Sequence, residues 1–274
     1  MSLERDLARA AAWLREADGL VVAAGAGVGI DSGLPDFRGP GGFWAVYPAL
    51  GRARIHFEAI ANPAAFARDP RLAWGFYGHR LNLYRRTVPH AGFALLQEMA
   101  ARMTHGVFAL TSNVDGQFQK AGFSAARVCE IHGSIHHLQC AAGCSDAIWP
   151  ADGFVPEIDT DACRLIGDLP HCPRCGALAR PNILMFGDRE WIGRRSEVQE
   201  QRLAAWLAAV DRPLCIEIGA GTAIPSVRRF AETCGGRLLR INPNESQVPD
   251  PRTGIGLPLG GAGGIAALAA AFGT

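Results

Sequence analysis

The stretch Val21-Val-Ala-Ala-Gly-Ala-Gly-Val-Gly-Ile-Asp-Ser-Gly-Leu-Pro-Asp-Phe-Arg38 decides the fold class of this chain. Residues 20–24 form a short apolar run, which is typical of a strand buried on both faces. Gly25 and Gly27 follow at once, and their missing side chains let the backbone turn tightly and approach a pyrophosphate. The stretch therefore predicts a strand and a phosphate-binding turn, the first unit of a nucleotide-binding α/β domain.

The turn departs from the fingerprint of nicotinamide-dependent dehydrogenases, because Ile30 stands where the third glycine belongs. No second strand with a ribose-binding acid follows about 20 residues later. Instead, the turn runs into a carboxylate, an aromatic ring and a guanidinium, which are Asp36, Phe37 and Arg38. A hydride-transfer enzyme is therefore the least favoured class of function.

The composition indicates an ordinary globular protein, with 49% hydrophobic and 19% charged residues among 274. The formal net charge of +1 and the absence of a basic run argue against nucleic-acid binding. No apolar run approaches the roughly 18 residues of a membrane span, and the N-terminus lacks the apolar segment of a signal peptide. We therefore expect a cytoplasmic protein that binds neither nucleic acid nor membranes.

Apolar periodicity predicts helices and strands in alternation along most of the chain. The helices are predicted over 3–17, 90–103, 116–121, 197–210, 226–233 and 264–272, and further strands over 107–111, 128–131, 183–186, 214–218 and 238–241. Alternation of this kind implies a doubly wound, parallel, Rossmann-like sheet with ligands at the carboxyl ends of its strands.

Three segments interrupt this alternation. Residues 40–47 have the composition of a mobile lid over a ligand, and 55–86 predict two or three short helices with breaks at Pro63 and Pro70. The Gly-rich run 254–264 is interpreted as a low-complexity linker.

The same pattern predicts two domains. The Rossmann-like domain would comprise residues 1–40, 87–135 and 181–274. The smaller domain would combine a helical insert over 41–86 with a zinc-binding module over 136–180.

Four of the eight cysteines form two short pairs, spaced Cys-x3-Cys and Cys-x2-Cys. They are Cys140, Cys144, Cys172 and Cys175. Such knuckles let four thiolates converge tetrahedrally on zinc, and a site closed by four thiolates is structural rather than catalytic. The neighbouring Cys163 and His171 leave the ligand set slightly open.

Polar residues follow two predicted strands at the edge where a nucleotide would lie. Asn113 and Asp115 come after the strand over 107–111, and His132 comes after the strand over 128–131. A capped turn and a structural histidine are the simpler interpretations. A neutral imidazole at this edge would also accept a proton from a ribose hydroxyl near neutral pH.

These motifs together resemble the sirtuin family of NAD-dependent protein lysine deacylases, in the same order along nearly the whole chain. They are Gly25-Ala-Gly27 with Pro-Asp-Phe-Arg38, Thr111-Ser-Asn-Val-Asp115, His132-Gly133, the four cysteines, Arg180-Pro-Asn-Ile-Leu-Met-Phe-Gly-Asp188 and Ile241-Asn242. The resemblance implies NAD as co-substrate, one structural zinc ion, and the release of nicotinamide and O-acyl-ADP-ribose.

The resemblance also implies roles for individual residues. His132 would be the general base, and Asn113 and Asp115 would line the nicotinamide pocket. The other cofactor contacts would be Gly25, Ala26, Gly27, Asp36, Phe37, Arg38, Ser112, Gly219, Gly221 and Asn242. An acyl-lysine protein substrate would add as an extended strand along Ile183, Met185, Phe186 and Gly187.

Several positions depart from the family pattern around the predicted NAD pocket. They are Gly29, Ser112, Gln117-Phe118 and Gly219-Ala-Gly-Thr-Ala223. Two alternatives therefore stay open, a protein mono-ADP-ribosyltransferase on the same fold and a non-catalytic NAD-sensing module.

The acyl preference is predicted from Ala61, Tyr77 and Arg80. A helix would aim Tyr77 and Arg80 from one face, and a phenol and a guanidinium together suit a carboxylate. The same pattern occurs in the desuccinylase and demalonylase branch of sirtuins, so the resemblance favours succinyl- or malonyl-lysine over acetyl-lysine. A core tyrosine and a solvated arginine are the alternative.

Overall fold

The computed structural model describes residues 2–35 and 42–273. Its strands are β1 Gly19–Ala24, β2 Val107–Thr111, β3 Val128–Glu130, β4 Gly133–Cys140, β5 Ile148–Pro150, β6 Ile158–Asp159, β7 Arg164–Leu165, β8 Ala179–Ile183, β9 Pro213–Ile218, β10 Arg237–Ile241 and β11 Gly254–Leu257. Its helices are α1 Leu3–Glu16, α2 Gly42–Val46, α3 Pro48–Arg52, α4 Phe57–Ile60, α5 Pro63–Arg68, α6 Pro70–Arg86, α7 Gly92–Ala100, α8 Gln117–Lys120, α9 Arg194–Leu207, α10 Ser226–Thr233 and α11 Gly261–Phe272. Within the described ranges, no helix combines the length and apolar character needed to cross a bilayer.

The larger sheet has six parallel strands in the order β11-β10-β9-β1-β2-β3. This is the strand order of a dinucleotide-binding fold, in which successive strands are added on one side of the first strand and then, from the fourth strand onward, on its other side. Here that switch point lies between β1 and β9, and every residue of β1 is buried. The prediction of a doubly wound parallel sheet is therefore confirmed.

Helices cover both faces of this sheet. The core on one face includes apolar residues of α1, α7 and α11, and the core on the other includes residues of α9 and α10. Trp206 of α9 packs 5.7 Å from Phe108 of β2, measured between ring centroids. Apolar burial on both faces explains why these strands lack the alternation of a half-exposed sheet.

The glycines after β1 are required by contact with the loop after β9. A Cβ atom on Gly25 would lie 2.6 Å from Ala220 Cα, and one on Gly27 would lie 2.7 Å from Gly219 Cα. The Gly27 N–H donates to the Gly219 carbonyl at 3.0 Å. The two loops therefore meet backbone to backbone at the switch point, a reason for glycine that the sequence alone does not contain.

A second, smaller core forms around two antiparallel sheets, ordered β5-β4-β8 and β6-β7. Aromatic residues of α6 dominate it, and Trp74 and Phe76 are fully buried. The breaks predicted at Pro63 and Pro70 are confirmed, since α5 and α6 begin there with Asn62 and Asp69 as side-chain caps. The combination of 41–86 and 136–180 into one domain stays a prediction.

The strand predicted over residues 183–186 is wrong in position and in sheet. The observed strand β8 ends at Ile183 and pairs antiparallel with β4, outside the parallel sheet. Its buried residues include Arg180 and Asn182, which hide the strand from a search for apolar runs. The predicted domain boundary at residue 181 consequently falls inside a strand.

Two other segments are more ordered than predicted. Residues 42–46 and 48–52 are helical, because Phe43 and Tyr47 anchor them in the small core. The Gly-rich run over 254–264 contains β11 and the start of α11, and a Cβ atom on Gly264 would collide with Ile241 of β10. This run is therefore part of the main sheet layer rather than a linker.

Candidate active site

Two cavities meet beyond the carboxyl ends of β1, β2 and β9. The inner cavity, of about 270 Å3, is lined by strand-end residues including Asn113, Asp115 and His132. The outer cavity, of about 440 Å3, is lined by the glycine-containing loops after β1 and β9. The two cavities share Ala26, Ser112 and Ile224 as lining residues, so they are adjacent parts of one cleft.

The outer cavity contains most of the predicted cofactor contacts. They are Gly25, Ala26, Gly27, Ser112, Gly219, Gly221 and Asn242. Asn242 shapes this loop, because its Nδ2 donates to the Ala220 carbonyl at 3.1 Å and its Oδ1 accepts from the Glu245 N–H at 2.9 Å. A cleft at a topological switch point, lined by glycine backbone that a phosphate can approach closely, fits a dinucleotide.

The residues after β2 are fixed by hydrogen bonds to the β1 loop. Thr111 Oγ1 donates to the Ala24 carbonyl at 2.9 Å, and Asn113 Nδ2 donates to the Gly25 carbonyl at 3.0 Å. Asp115 Oδ1 accepts from the Gln117 N–H at 2.9 Å. Burial raises the pKa of the Asp115 carboxyl to about 6, so this group titrates unusually close to neutral pH.

His132 lies on the wall of the inner cavity, together with Asn113 and Asp115. Gly133 follows it with φ of +77°, and a Cβ atom there would collide with the Asn182 carbonyl. The His132 carbonyl accepts from the Leu184 N–H at 3.0 Å. Close approach of β8 therefore fixes the backbone on which His132 stands.

The predicted substrate-binding residues also converge on the inner cavity. It is lined by Ala61, Tyr77, Arg80, Ile183, Met185 and Phe186. Gly187 is absent from its lining and instead forms the following turn with φ of +67°. The Phe186 N–H donates to the Ala61 carbonyl at 2.9 Å, which joins the apolar segment after β8 to the helical insert.

The environment of Arg80 keeps its guanidinium charged inside the protein. Burial opposes the charge, but the hydroxyl groups of Tyr84, Tyr47 and Tyr77 raise the pKa of Arg80 above its usual value. Burial also raises the pKa of Tyr77, so this phenol keeps its proton. The lining of the inner cavity thus includes a cation and a hydrogen-bond donor, the chemistry that binds a carboxylate.

Some of the site was missed by sequence reasoning or lies outside the described residues. Tyr84 lines the inner cavity, and Thr222 Oγ1 donates to Glu245 Oε1 at 2.8 Å on the wall of the outer cavity. Tyr84 lies one helical turn after Arg80, so the four-residue spacing could have predicted that both side chains share one face of the helix. The structure does not describe Asp36, Phe37 and Arg38, so their roles stay predictions.

The four paired cysteines converge as a metal site would require. Their sulfur atoms all lie within 4.8 Å of one another, and the Cys140–Cys175 and Cys144–Cys172 Sγ distances are both 3.6 Å. This geometry fits tetrahedral zinc. Cys163 is buried in the small core, and His171 Nδ1 is 2.9 Å from the Gly176 carbonyl oxygen, so neither belongs to the cluster.

Comparison with protein-family models matches residues 25–205 to the Sir2 family. The chain belongs to the Sir2 family. The Sir2 relative "NAD-dependent protein deacylase 2" of Pyrobaculum aerophilum is 34% identical over 231 residues, covering 83% of this chain and 81% of the relative. The "NAD-dependent protein deacylase sirtuin-5, mitochondrial" of Danio rerio is 32% identical over 237 residues, covering 80% of this chain and 70% of the relative.

Solved Sir2 structures confirm the fold. A Sir2 homologue in complex with NAD superposes with a TM-score of 0.69 at 24% identity, covering 96% of this chain and 92% of that one. A second Sir2 homologue, a mutant in complex with ADP-ribose, gives a TM-score of 0.70 at 24% identity, with coverage of 96% and 95%. The Sir2 fold thus extends over both the parallel sheet and the cysteine-bearing module of this chain.

Proposed function

We propose that this chain is an NAD-dependent deacylase that removes succinyl or malonyl groups from protein lysine side chains. Membership of the Sir2 family and relatives named NAD-dependent protein deacylases support the reaction class. One observation carries the acyl preference. The partly buried cation Arg80 and the protonated phenol Tyr77 line the inner cavity that also contains His132 and Asp115.

The overall reaction converts acyl-lysine, NAD and one water molecule into lysine, nicotinamide and O-acyl-ADP-ribose. When bound, NAD supplies an electrophilic ribose carbon; the glycine loops of the outer cavity and Asn242 would hold its adenosine and phosphate portions. Asn113 and Asp115 would orient the nicotinamide amide in the inner cavity. His132 would accept a proton from a ribose hydroxyl, which makes that oxygen a better nucleophile.

The polypeptide around the acylated lysine would bind along residues 183–187 in extended form. Leu184 and Phe186 are 38% and 37% exposed, so this segment presents apolar side chains beside the opening of the inner cavity. Backbone pairing to an extended segment recognises many sequences, while the cavity recognises the acyl group. This arrangement suits an enzyme whose specificity lies in the modification rather than in the surrounding sequence.

We also propose the cytoplasm as the location, with proteins rather than nucleic acids or membranes as partners. The cluster of four thiols supports a reducing compartment, because zinc thiolates persist where disulfides do not form. The net charge of +1 supports the absence of a nucleic-acid partner.

The test is a panel of one peptide carrying acetyl-, succinyl- or malonyl-lysine, incubated with NAD and followed by mass spectrometry and nicotinamide release. We expect the acidic acyl groups to be removed with higher kcat/KM than acetyl. Arg80→Met should lower desuccinylation by about one to two decades and lower deacetylation far less, because it loses a charge-assisted contact with the acyl carboxylate.

Two control variants make the panel decisive. Arg86→Met removes an exposed arginine from the same helix and should leave the acyl preference unchanged. His132→Ala should abolish deacylation, and nicotinamide release without deacylation would favour a different NAD-consuming activity. A wild-type preference for acetyl-lysine would contradict the proposed specificity, and transfer of ADP-ribose to the peptide would contradict the reaction class.

A further inference from the structure

Tyr84 shares one face of α6 with Tyr77 and Arg80, at spacings of three and four residues. Its side chain is 4% exposed and lines the inner cavity. Arg80 donates to the Tyr84 hydroxyl oxygen from two nitrogens, Nε at 2.9 Å and Nη2 at 2.6 Å. One phenol oxygen therefore holds one whole edge of the guanidinium.

This contact fixes the direction in which Arg80 presents its charge. Two N–H groups that converge on one oxygen define the plane of the guanidinium, which is rigid. The ring of Phe76 lies 5.2 Å from Arg80 Cζ and restricts the same group. Without the Tyr84 hydroxyl, the Arg80 side chain would lose these two hydrogen bonds and be less restricted in direction. Binding a carboxylate would then require it to be ordered again.

Tyr84 also borders a third cavity. This rear cavity, of about 320 Å3, lies between the end of α6, helix α8 and strand β4, and it shares only Tyr84 and Asp115 with the inner cavity. Its lining includes the cations Arg85, Lys120 and Arg195. Tyr84, together with Asp115, thus lies where the recognition cavity and the cation-lined space meet.

Two buried nitrogen atoms in the lining of the rear cavity have no hydrogen-bond partner among the described residues. They are His137 Nδ1 and Arg195 Nη1. Glu130 already neutralises Arg195 through its other terminal nitrogen at 2.5 Å. Among the described residues that line the rear cavity, Asp115 is the one that carries a carboxyl group. Cations therefore outnumber carboxyl groups in the lining of the rear cavity, while the two unpartnered nitrogen atoms lie beneath its surface.

We propose that Tyr84 sets the acyl specificity in two ways, as a positioning residue for Arg80 and as the wall that limits acyl length. The hydroxyl aims the guanidinium at the end of a short dicarboxylic acyl group. The ring prevents a longer acyl group from reaching the rear cavity. The first role rests on the proposed preference for acidic acyl groups, whereas the second applies to acyl chains of any charge.

Tyr84→Phe tests the positioning role, because it removes the hydroxyl and keeps the ring. We expect the ratio of kcat/KM for succinyl-lysine to that for acetyl-lysine to fall about tenfold, with most of the change in KM. Thr87→Val is the matched control. It also removes a buried hydroxyl from the end of α6, whose hydrogen bond goes to the Leu83 carbonyl at 2.8 Å, but Thr87 does not line the inner or the rear cavity. It should leave the ratio unchanged.

Tyr84→Ala tests the wall, with Tyr84→Leu as a second variant that keeps more of the packing. Turnover of glutaryl- and adipoyl-lysine relative to succinyl-lysine should rise about tenfold, since each added methylene gains space in the rear cavity. Hexanoyl-lysine should likewise gain relative to acetyl-lysine. Fluorescence-polarisation binding of the same acyl peptides, run beside the turnover assay, measures these preferences independently of the chemical step.

The outcomes separate the inference from the proposed function. Equal losses on succinyl and acetyl peptides in Tyr84→Phe would overturn the positioning role. Unchanged length preference in both Tyr84→Ala and Tyr84→Leu would overturn the wall. A wild type that prefers acetyl-lysine would contradict the proposed function and the positioning role, while the hexanoyl comparison would still decide the wall.

Discussion

At the scale of single residues, Asp115 links the site to the pH dependence of stability. Its pKa of about 6 in the folded protein lies above the usual 3.8, mainly because the carboxyl is buried. The folded state therefore binds this proton more tightly than the unfolded state, and its contribution to stability is lost as pH rises from about 4 to about 6. The loss amounts to about 3 kcal/mol once the group is ionised.

Asp115→Asn removes this titration and keeps an oxygen that accepts from the Gln117 N–H. We expect the variant to gain stability relative to wild type between about pH 4 and pH 7, by up to about 3 kcal/mol. Urea unfolding of both proteins at each pH measures the difference between their free energies of unfolding. The titration of all other groups is common to both proteins and cancels in this difference. A difference that does not change with pH would mean that Asp115 ionises normally.

At the scale of elements, the turn after β8 depends on one buried ion pair. Arg180 and Asp188 are joined by two hydrogen bonds of 2.7 and 2.8 Å, and their side chains are 2% and 0% exposed. Asp188→Ala would leave a guanidinium buried without its carboxylate. We expect a loss of about 3–5 kcal/mol in the free energy of unfolding, together with a higher KM for the peptide because residues 183–187 lose their anchor.

Glu16→Ala is the matched control for this prediction. It breaks an ion pair with Arg237 on the surface, where solvent screens the charges and such pairs contribute little. The urea unfolding midpoint of this variant should therefore be the same as that of wild type. Similar midpoints for Asp188→Ala and Glu16→Ala would show that the buried pair does not hold the turn.

The helices and the parallel strands were largely predictable, and β8 was not. Helix α1 follows its apolar periodicity, and α5 and α6 begin at the prolines that mark them. Strand β8 buries Arg180 and Asn182, and the side-chain partner of Asn182 is distant in sequence, with Gln139 Oε1 at 2.9 Å from Asn182 Nδ2. Apolar periodicity reflects only residues close together in the sequence. A strand stabilised by distant polar partners therefore shows no apolar pattern.

At the scale of the whole molecule, the cysteine cluster joins segments far apart in the chain, the end of β4 and the loop before β8. We expect purified protein to contain one zinc ion per chain. Cys172→Ala, or removal of the metal by a chelator, should lower Tm by roughly 10 °C or more, because closed thiolate sites contribute directly to folding. Elemental analysis and calorimetry measure the two quantities.

Cys234→Ala is the control, since this half-buried cysteine lies outside the cluster. It should keep its zinc and a Tm close to that of wild type. Wild-type protein that contains no zinc, or a Cys172→Ala variant with an unchanged Tm, would contradict the assignment of the cluster as a structural metal site.

The sequence alone determined the strand and glycine turn at residues 20–27 and the paired cysteines, because each depends on residue type and short spacing. The resemblance of its motifs to a known family pointed to His132 and Arg80. Tertiary structure decided the features that need distant contacts. It packed the loop after β1 against the loop after β9, and buried Asp115 deeply enough to raise its pKa. It also placed Tyr84 between two cavities. Burial and close approach are properties of the folded chain, so no local pattern specifies them.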